Sequence, residues 1–241
     1  MFKKNNNKKI TFKESTLAAK YLLDSPKPSK VYAPQWYKNQ KLFTNNSNDY
    51  IKSQRADGTY KLCTPLVDSL TAGYTFVTPC DIMVNNTSEK EYTPRLEWKV
   101  DFTPVDTQKP SVLGNFPIPL GHHSTSFRWH MDWQVITPSG YSLWITHPSQ
   151  RYDLPFTTVT GFVDTDKFPN RLFLPFFLKD NFEGLIPEGT PIAQIIPIKR
   201  EVWESEKSDY DPNSDYIHRN MMTLNLFRTY KNKFWSKKEY R

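Results

Sequence analysis

The sequence predicts an all-β fold, a barrel or sandwich of short antiparallel strands with an extension at each end. Three observations carry this. Aromatic residues make up 15% of the 241 residues and Pro is abundant at 19, a mixture of strand formers and strand breakers that favours short strands. From Lys61 onward, apolar and polar residues alternate in short runs bounded by Pro, Gly, Asn and Ser. A sustained helical spacing of apolar residues appears only near the end, at Ile217, Met221, Leu224, Phe227, Tyr230 and Phe234. The length suffices for one buried core.

Residues 1–60 read as a basic, aromatic-rich N-terminal extension, 61–203 as the core domain, and 204–241 as an acidic linker followed by a basic amphipathic helix. Within the extension, Glu14 to Leu23 fits a short helix closed by Ser25-Pro26-Lys27-Pro28. From Val31 to Tyr60, aromatics alternate with Asn, Lys and Ser, which reads as loops with one or two edge strands. Strand character then falls at Tyr74–Val77, Asp81–Val84, Arg95–Phe102, Phe127–Ile136, Ser142–Thr146, Thr157–Phe162, Arg171–Leu178 and Ile192–Ile198. Residues 103–121 form a Pro-punctuated loop, and Thr137-Pro138-Ser139-Gly140 is a turn. Ser205 to Ser214 is the linker, with Asn213 and Ser214 as N-caps of the last helix. The apolar face of that helix packs on the core or on a neighbouring subunit. No internal repeat is visible.

The net charge is +7, with a pI of about 9.2. Much of the excess sits at the ends, in Lys3, Lys4, Lys8 and Lys9 and in Arg228, Lys231, Lys233, Lys237, Lys238 and Arg241. Such termini either contact a nucleic-acid backbone or are simply solvated. No apolar run is long enough to span a membrane, and no apolar h-region marks a secretory signal. Cys63 and Cys80 are therefore expected as reduced, mostly buried thiols. The stretch between them is read as two paired strands that bring the thiols close. With only 8 Gly and no local cluster of them, the composition argues against a glycine-rich phosphate cradle.

Three segments carry chemistry. Gly161–Asp166 (GFVDTD) ends a strand in an acidic turn. Gly140–Gln150 (GYSLWITHPSQ) ends a strand in a polar cap. Ile186–Ile198 (IPEGTPIAQIIPI) is a strand-turn-strand containing Gly189 and Gln194. In this order they resemble the core of the dUTPase and dCTP deaminase family, a trimeric β-clip that binds nucleotides between subunits. The resemblance implies a β-clip or jelly-roll-like barrel with a C-terminal helix and a basic N-terminal arm. It also implies a homotrimer, and Asp164 as the acid that orients the attacking water. Gly161 would border the pyrimidine pocket, and Ser149 and Gln194 would meet phosphate oxygens. Arg151 would substitute for the family arginine, whose place is taken by Pro148, and Asp166 would stand beside Asp164. Mg2+ would accompany the nucleotide if hydrolysis occurs; no other cofactor is implied.

Taken alone, the same residues have structural readings. Asp164 and Asp166 can bond their own turn, Ser149 can be a turn residue, and Gln194 can satisfy backbone groups in a buried strand. The chain also departs from the family. Ala72-Gly73-Tyr74 opens the first motif, but Thr75 stands where its acid is expected. No Gly follows Gly189, so the Gly-rich lid is missing, and Leu172-Phe173-Leu174-Pro175 replaces the strand that carries the deaminase glutamate. His122, His123, His130 and His147, with Asp132 and Asp153 near, are weak metal candidates whose spacing matches no ligand pattern.

Residues 61–203 are also similar to a family of uncharacterised proteins of bacteria and tailed bacteriophages. TPLVDSLTAGYTFVTPCDI, WQVITPSGYSLWITHPSQRYDLPFTTVTGFVDTD and EGLIPEGTPIAQIIPIKREVW carry this likeness. Three functions follow. The first is a catalytically degenerate β-clip protein that binds a nucleotide or small polar ligand or serves assembly. The second is a divergent pyrimidine nucleoside triphosphate hydrolase using Asp164. The third is a virion component that meets other phage structural proteins. The host cytoplasm is the expected location for the first two, and the particle for the third.

Overall fold

A computed structural model describes residues 8–43, 58–85, 93–168, 170–224 and 230–241. Of the residues singled out in the sequence, Lys3, Lys4, Phe227 and Arg228 lie outside this description, as do the side chains of Met221 and Leu224. The chain divides into two compact units, Met1–Tyr32 with Gly73–Arg200, and Ala33–Ala72 with Glu201–Arg241.

The first unit is all-β, and its strands pair antiparallel throughout. A five-stranded sheet runs in the order β11 (Gly161–Val163), β9 (Tyr141–Thr146), β14 (Pro191–Lys199), β3 (Tyr74–Val77) and β2 (Lys27–Pro28). A four-stranded sheet runs β10 (Phe156–Thr158), β12 (Phe173–Lys179), β7 (His122–His130) and β6 (Val105–Thr107). Three more strands form β13 (Gly184–Ile186), β4 (Ile82–Asn85) and β5 (Arg95–Glu97), and β1 (Thr11–Glu14) pairs with β8 (Trp133–Ile136).

Strand alternation decides what lies inside. On β7, Phe127 and Trp129 are fully buried while Arg128 between them faces outward to Asp106, with Nε and Oδ1 at 2.8 Å. Phe176 of β12 stacks on Trp129 with centroids 3.8 Å apart, and Phe156 of β10 meets Trp129 edge-on at 5.0 Å. Each such buried ring contributes roughly 1.5–3 kcal/mol over an exposed one. From the five-stranded sheet, Phe76, Leu143, Ile145, Ile192 and Ile195 are buried. The buried Thr158 hydroxyl donates to the Ile192 carbonyl at 2.6 Å and ties β10 to β14.

Several elements differ from the sequence expectation. The run Thr157–Phe162 is two strands in two sheets, because Thr158 turns inward to Ile192 and Val159 donates its amide to the Pro175 carbonyl. Phe127–Ile136 likewise breaks at Met131-Asp132, where the Asp132 side chain and carbonyl receive Thr16 and Ser15. Only Arg95–Glu97 of Arg95–Phe102 pairs, since β4 is short. The 103–121 loop contains β6 and a turn of helix, Pro110–Leu113. Glu14 ends a strand instead of starting a helix. The helix is α1, Leu17–Tyr21, capped by the Thr16 hydroxyl on the Ala19 amide at 3.0 Å.

The second unit is helical. Of Val31 to Tyr60, residues 44–57 lie outside the described residues, and the rest includes a short helix, Gln35–Asn39, and an isolated bridge between Phe43 and Gly58. The segment after Cys63, read as a strand, is a helix over Thr64–Thr71. Pro65 fits its first turn, and the Ser69 and Thr71 hydroxyls bond back to the Leu66 and Val67 carbonyls, so side chains that would stay free in a strand are satisfied here. Cys63 is consequently exposed, Cys80 is buried, and both are free thiols. The C-terminal helix spans Pro212–Leu224, with Asn213 and Ser214 inside it. Asp211 is the capping residue, accepting the Asn213 amide at 3.0 Å, with Pro212 in the position that lacks a needed amide. Ile217, Tyr230 and Phe234 of its predicted face are exposed. Trp235 Nε1 and Lys238 Nζ both donate to Asp68, at 2.8 and 2.7 Å. No helix among the described residues is long and apolar enough to cross a membrane.

Candidate functional site

The register of the five-stranded sheet assembles the acidic turn. Val163 lies opposite Leu143, so the chain leaving β11 runs beside Gly140–Ser142. Lys199 lies opposite Tyr141, and the next residue, Arg200, donates its amide to the Gly140 carbonyl at 2.8 Å. Three segments distant in sequence therefore end at one place. The buried Thr137 and Thr165 hydroxyls, 2.9 Å apart, fasten two of these segments together.

Arg200 fills this place. Its guanidinium grips both Asp166 oxygens, one through Nη1 at 2.9 Å and the other through Nη2. Nη1 also lies 3.1 Å from Asp164 Oδ1. Asp166 accepts the Gly140 amide at 2.9 Å, and its side chain keeps 5% of its exposure. Asp164 is 54% exposed, and its Oδ1 accepts the Ser142 hydroxyl at 2.6 Å. The Arg200 bonds bring the Asp166 pKa down to about 2. The Ser142 hydrogen bond, helped by Arg200, holds Asp164 below the ordinary carboxylate value. A carboxylate so engaged is a weaker base, because its anion is already stabilised.

The polar cap after β9 is built by different contacts. Gln194, buried in β14 opposite Thr146 and Thr75, accepts the Ser149 amide through Oε1 at 3.0 Å. Gln150 adopts φ 59°, in the left-handed region, as the chain turns there. Arg151 spends its fork on Asp153, with contacts of 2.9, 3.1 and 2.9 Å. Gly161 is exposed opposite Ile145, with open space where a side chain would be. The structure thus brings together Asp164 with Asp166 and Ser149 with Gln194, and gives Arg151 a partner of its own.

The histidines are separately engaged. His147 accepts the Thr158 amide on Nδ1 at 3.3 Å, which leaves Nε2–H to donate to the Arg151 carbonyl at 3.0 Å. Burial pushes its pKa down, against the Arg151 carbonyl. His122 bonds the Leu120 carbonyl and the Thr157 hydroxyl, and His123 Nδ1 accepts the Thr125 amide. His130 Nε2 stands 3.2 Å from Asp106 Oδ2. Among the described residues no group of three or more His, Cys, Asp or Glu could hold a metal ion. Of the turn carboxylates, Asp166 meets Arg200 through both oxygens and Asp164 through Oδ1 alone.

Arg200 and Ser142 were not singled out from the sequence. The signal for them was positional: a cation one residue beyond a strand whose partner follows a Pro-Ser-Gly turn. No protein-family model matches the chain, and no curated protein does. Among solved structures, a point-mutant dUTPase from phage phi11 of S. aureus is similar at 10% sequence identity with a TM-score of 0.36. That similarity covers 84% of this chain and 97% of the other.

Proposed function

We propose that this protein is a β-clip module that has given up triphosphate hydrolysis and acts by binding or assembly, as a homo-oligomer. One observation carries the reading. Asp164, the residue that would orient a nucleophilic water, is held by Ser142 and faces Arg200, and its basicity is reduced. General-base work favours a pKa near the operating pH, and these contacts shift Asp164 the other way. The other expected contacts are already engaged within the chain. Ser149 gives its amide to Gln194 and Arg151 its guanidinium to Asp153, so a phosphate would have to displace interactions already made.

The test is a turnover assay with purified protein against dUTP, dCTP and the remaining nucleoside triphosphates, with Mg2+. No turnover above the uncatalysed rate is expected for the native chain or for Asp164→Asn. Hydrolysis by the native chain that Asp164→Asn abolishes would overturn the proposal and establish the hydrolase reading. Light scattering tests the oligomer: a mass at a multiple of 28.4 kDa, threefold by the family resemblance, is expected, and a monomer at micromolar concentration would remove the assembly role.

A further inference from the structure

A cleft of about 440 Å3, with none of the acidic-turn residues in its wall, is lined by residues 22–27, β3, the β7–β8 junction and Glu188-Gly189. Its volume is that of a small-molecule site. Most polar side chains along it are already used. Thr75 donates to Ser29 at 2.9 Å, Thr78 donates to the Pro187 carbonyl at 2.7 Å, and Lys27 is paired with Asp24 at 2.6 Å.

Two carboxylates are not used up. Asp132 lines the cleft and is 7% exposed. Its Oδ1 accepts the Thr16 hydroxyl at 2.9 Å, while Oδ2 has no hydrogen-bond partner among the described residues. Glu188 is exposed at the rim, and no described side chain bonds its carboxylate. The two converge. Both charges are felt by the buried Cys80 thiol, whose pKa burial and then Glu188, Asp81 and Asp132 push up to about 11. Burial likewise raises the Asp132 pKa, the mark of an anion short of compensating charge. Arg171 and His130, the latter also in the cleft wall, influence Asp132 electrostatically, but no ion pair joins either to it among the described residues. Trp133 and Tyr32 add aromatic wall, which favours an organic cation over a hydrated one.

We propose that this cleft binds the primary ammonium group of a small aliphatic amine, with Asp132 Oδ2 and Glu188 as its acceptors. An ammonium supplies three donors and a positive charge, which is what the two carboxylates lack. A divalent metal is the poorer match, because the cleft does not gather three carboxylate, imidazole or thiolate ligands among the described residues.

The probe is putrescine, with 1,4-butanediol as its uncharged counterpart of equal length. Melting temperature and titration calorimetry are read at matched ionic strength. Putrescine is expected to raise the melting temperature saturably, and the diol and sodium chloride to leave it unchanged. Glu188→Gln, at an exposed position, is expected to weaken putrescine about tenfold, the effect of one charge-assisted hydrogen bond, and Asp132→Asn to abolish the response. The Glu188 variant keeps the test decisive if Asp132→Asn loses its Thr16 contact and fails to fold. Equal shifts with the diol or salt, undiminished binding by Glu188→Gln, or stabilisation by Mg2+ that putrescine cannot displace would overturn the proposal.

Discussion

Arg200 is the residue on which the acidic turn depends. Its removal should be visible as a changed response to acid. The Asp166 pKa in the fold is about 2, below its ordinary value of 3.8, so the carboxylate contributes stability above that ordinary value. The contribution fades as pH falls from near 4 towards 2, where the native carboxylate protonates in turn. Arg200→Met should lower stability at neutral pH and flatten this acid limb, as measured by denaturant midpoints between pH 2 and 6. An unchanged acid limb would mean that the network is not what holds Asp166 ionised. Trp129 poses a different single-residue question, because its Nε1–H is buried without a partner among the described residues. Trp129→Ala should cost about 3–5 kcal/mol through lost burial and cavity. Trp129→Phe should cost well under half of that, since it also removes an unsatisfied donor.

Among the elements, the β3–β14 ladder is where sequence and structure agree best. Tyr74–Val77 is the strand expected, and Pro191–Lys199 adds one residue at either end of Ile192–Ile198. Both are legible because apolar residues dominate them and Gly73 and Pro191 mark their starts. Thr157–Phe162 was not legible as two strands. Its Thr-rich run has no apolar period that would place a break, and the inward bond of Thr158 to Ile192, a residue far along the chain, divides it. The same limit applies to the site. Asp164 and Asp166 stand out in their own turn, but the charge that neutralises them arrives from the end of β14, which local pattern cannot reveal. Gly73 immediately precedes the start of β3. It has φ +66°, and a Cβ there would lie 1.9 Å from the Ile195 carbonyl oxygen. Gly73→Ala should therefore destabilise by at least about 2 kcal/mol, from the left-handed backbone and the clash together. The check is a lower denaturant midpoint with an unchanged slope.

At the scale of the whole molecule, the all-β unit is discontinuous in sequence. β2 and β3 are hydrogen-bonded neighbours, and Ser29 donates its amide to the Gly73 carbonyl at 3.0 Å, although residues 33–72 intervene. Those residues belong with 201–241, to which Asp68 is tied through Trp235 and Lys238. The strand edge between Ser29 and Gly73 is thus a docking port in the genetic sense: chain leaves and returns at adjacent positions. Length there is decoupled from sheet register, so a different passenger sequence could be spliced in at this port, with 201–241 exchanged alongside it, while every ladder from β3 onward kept its pairing.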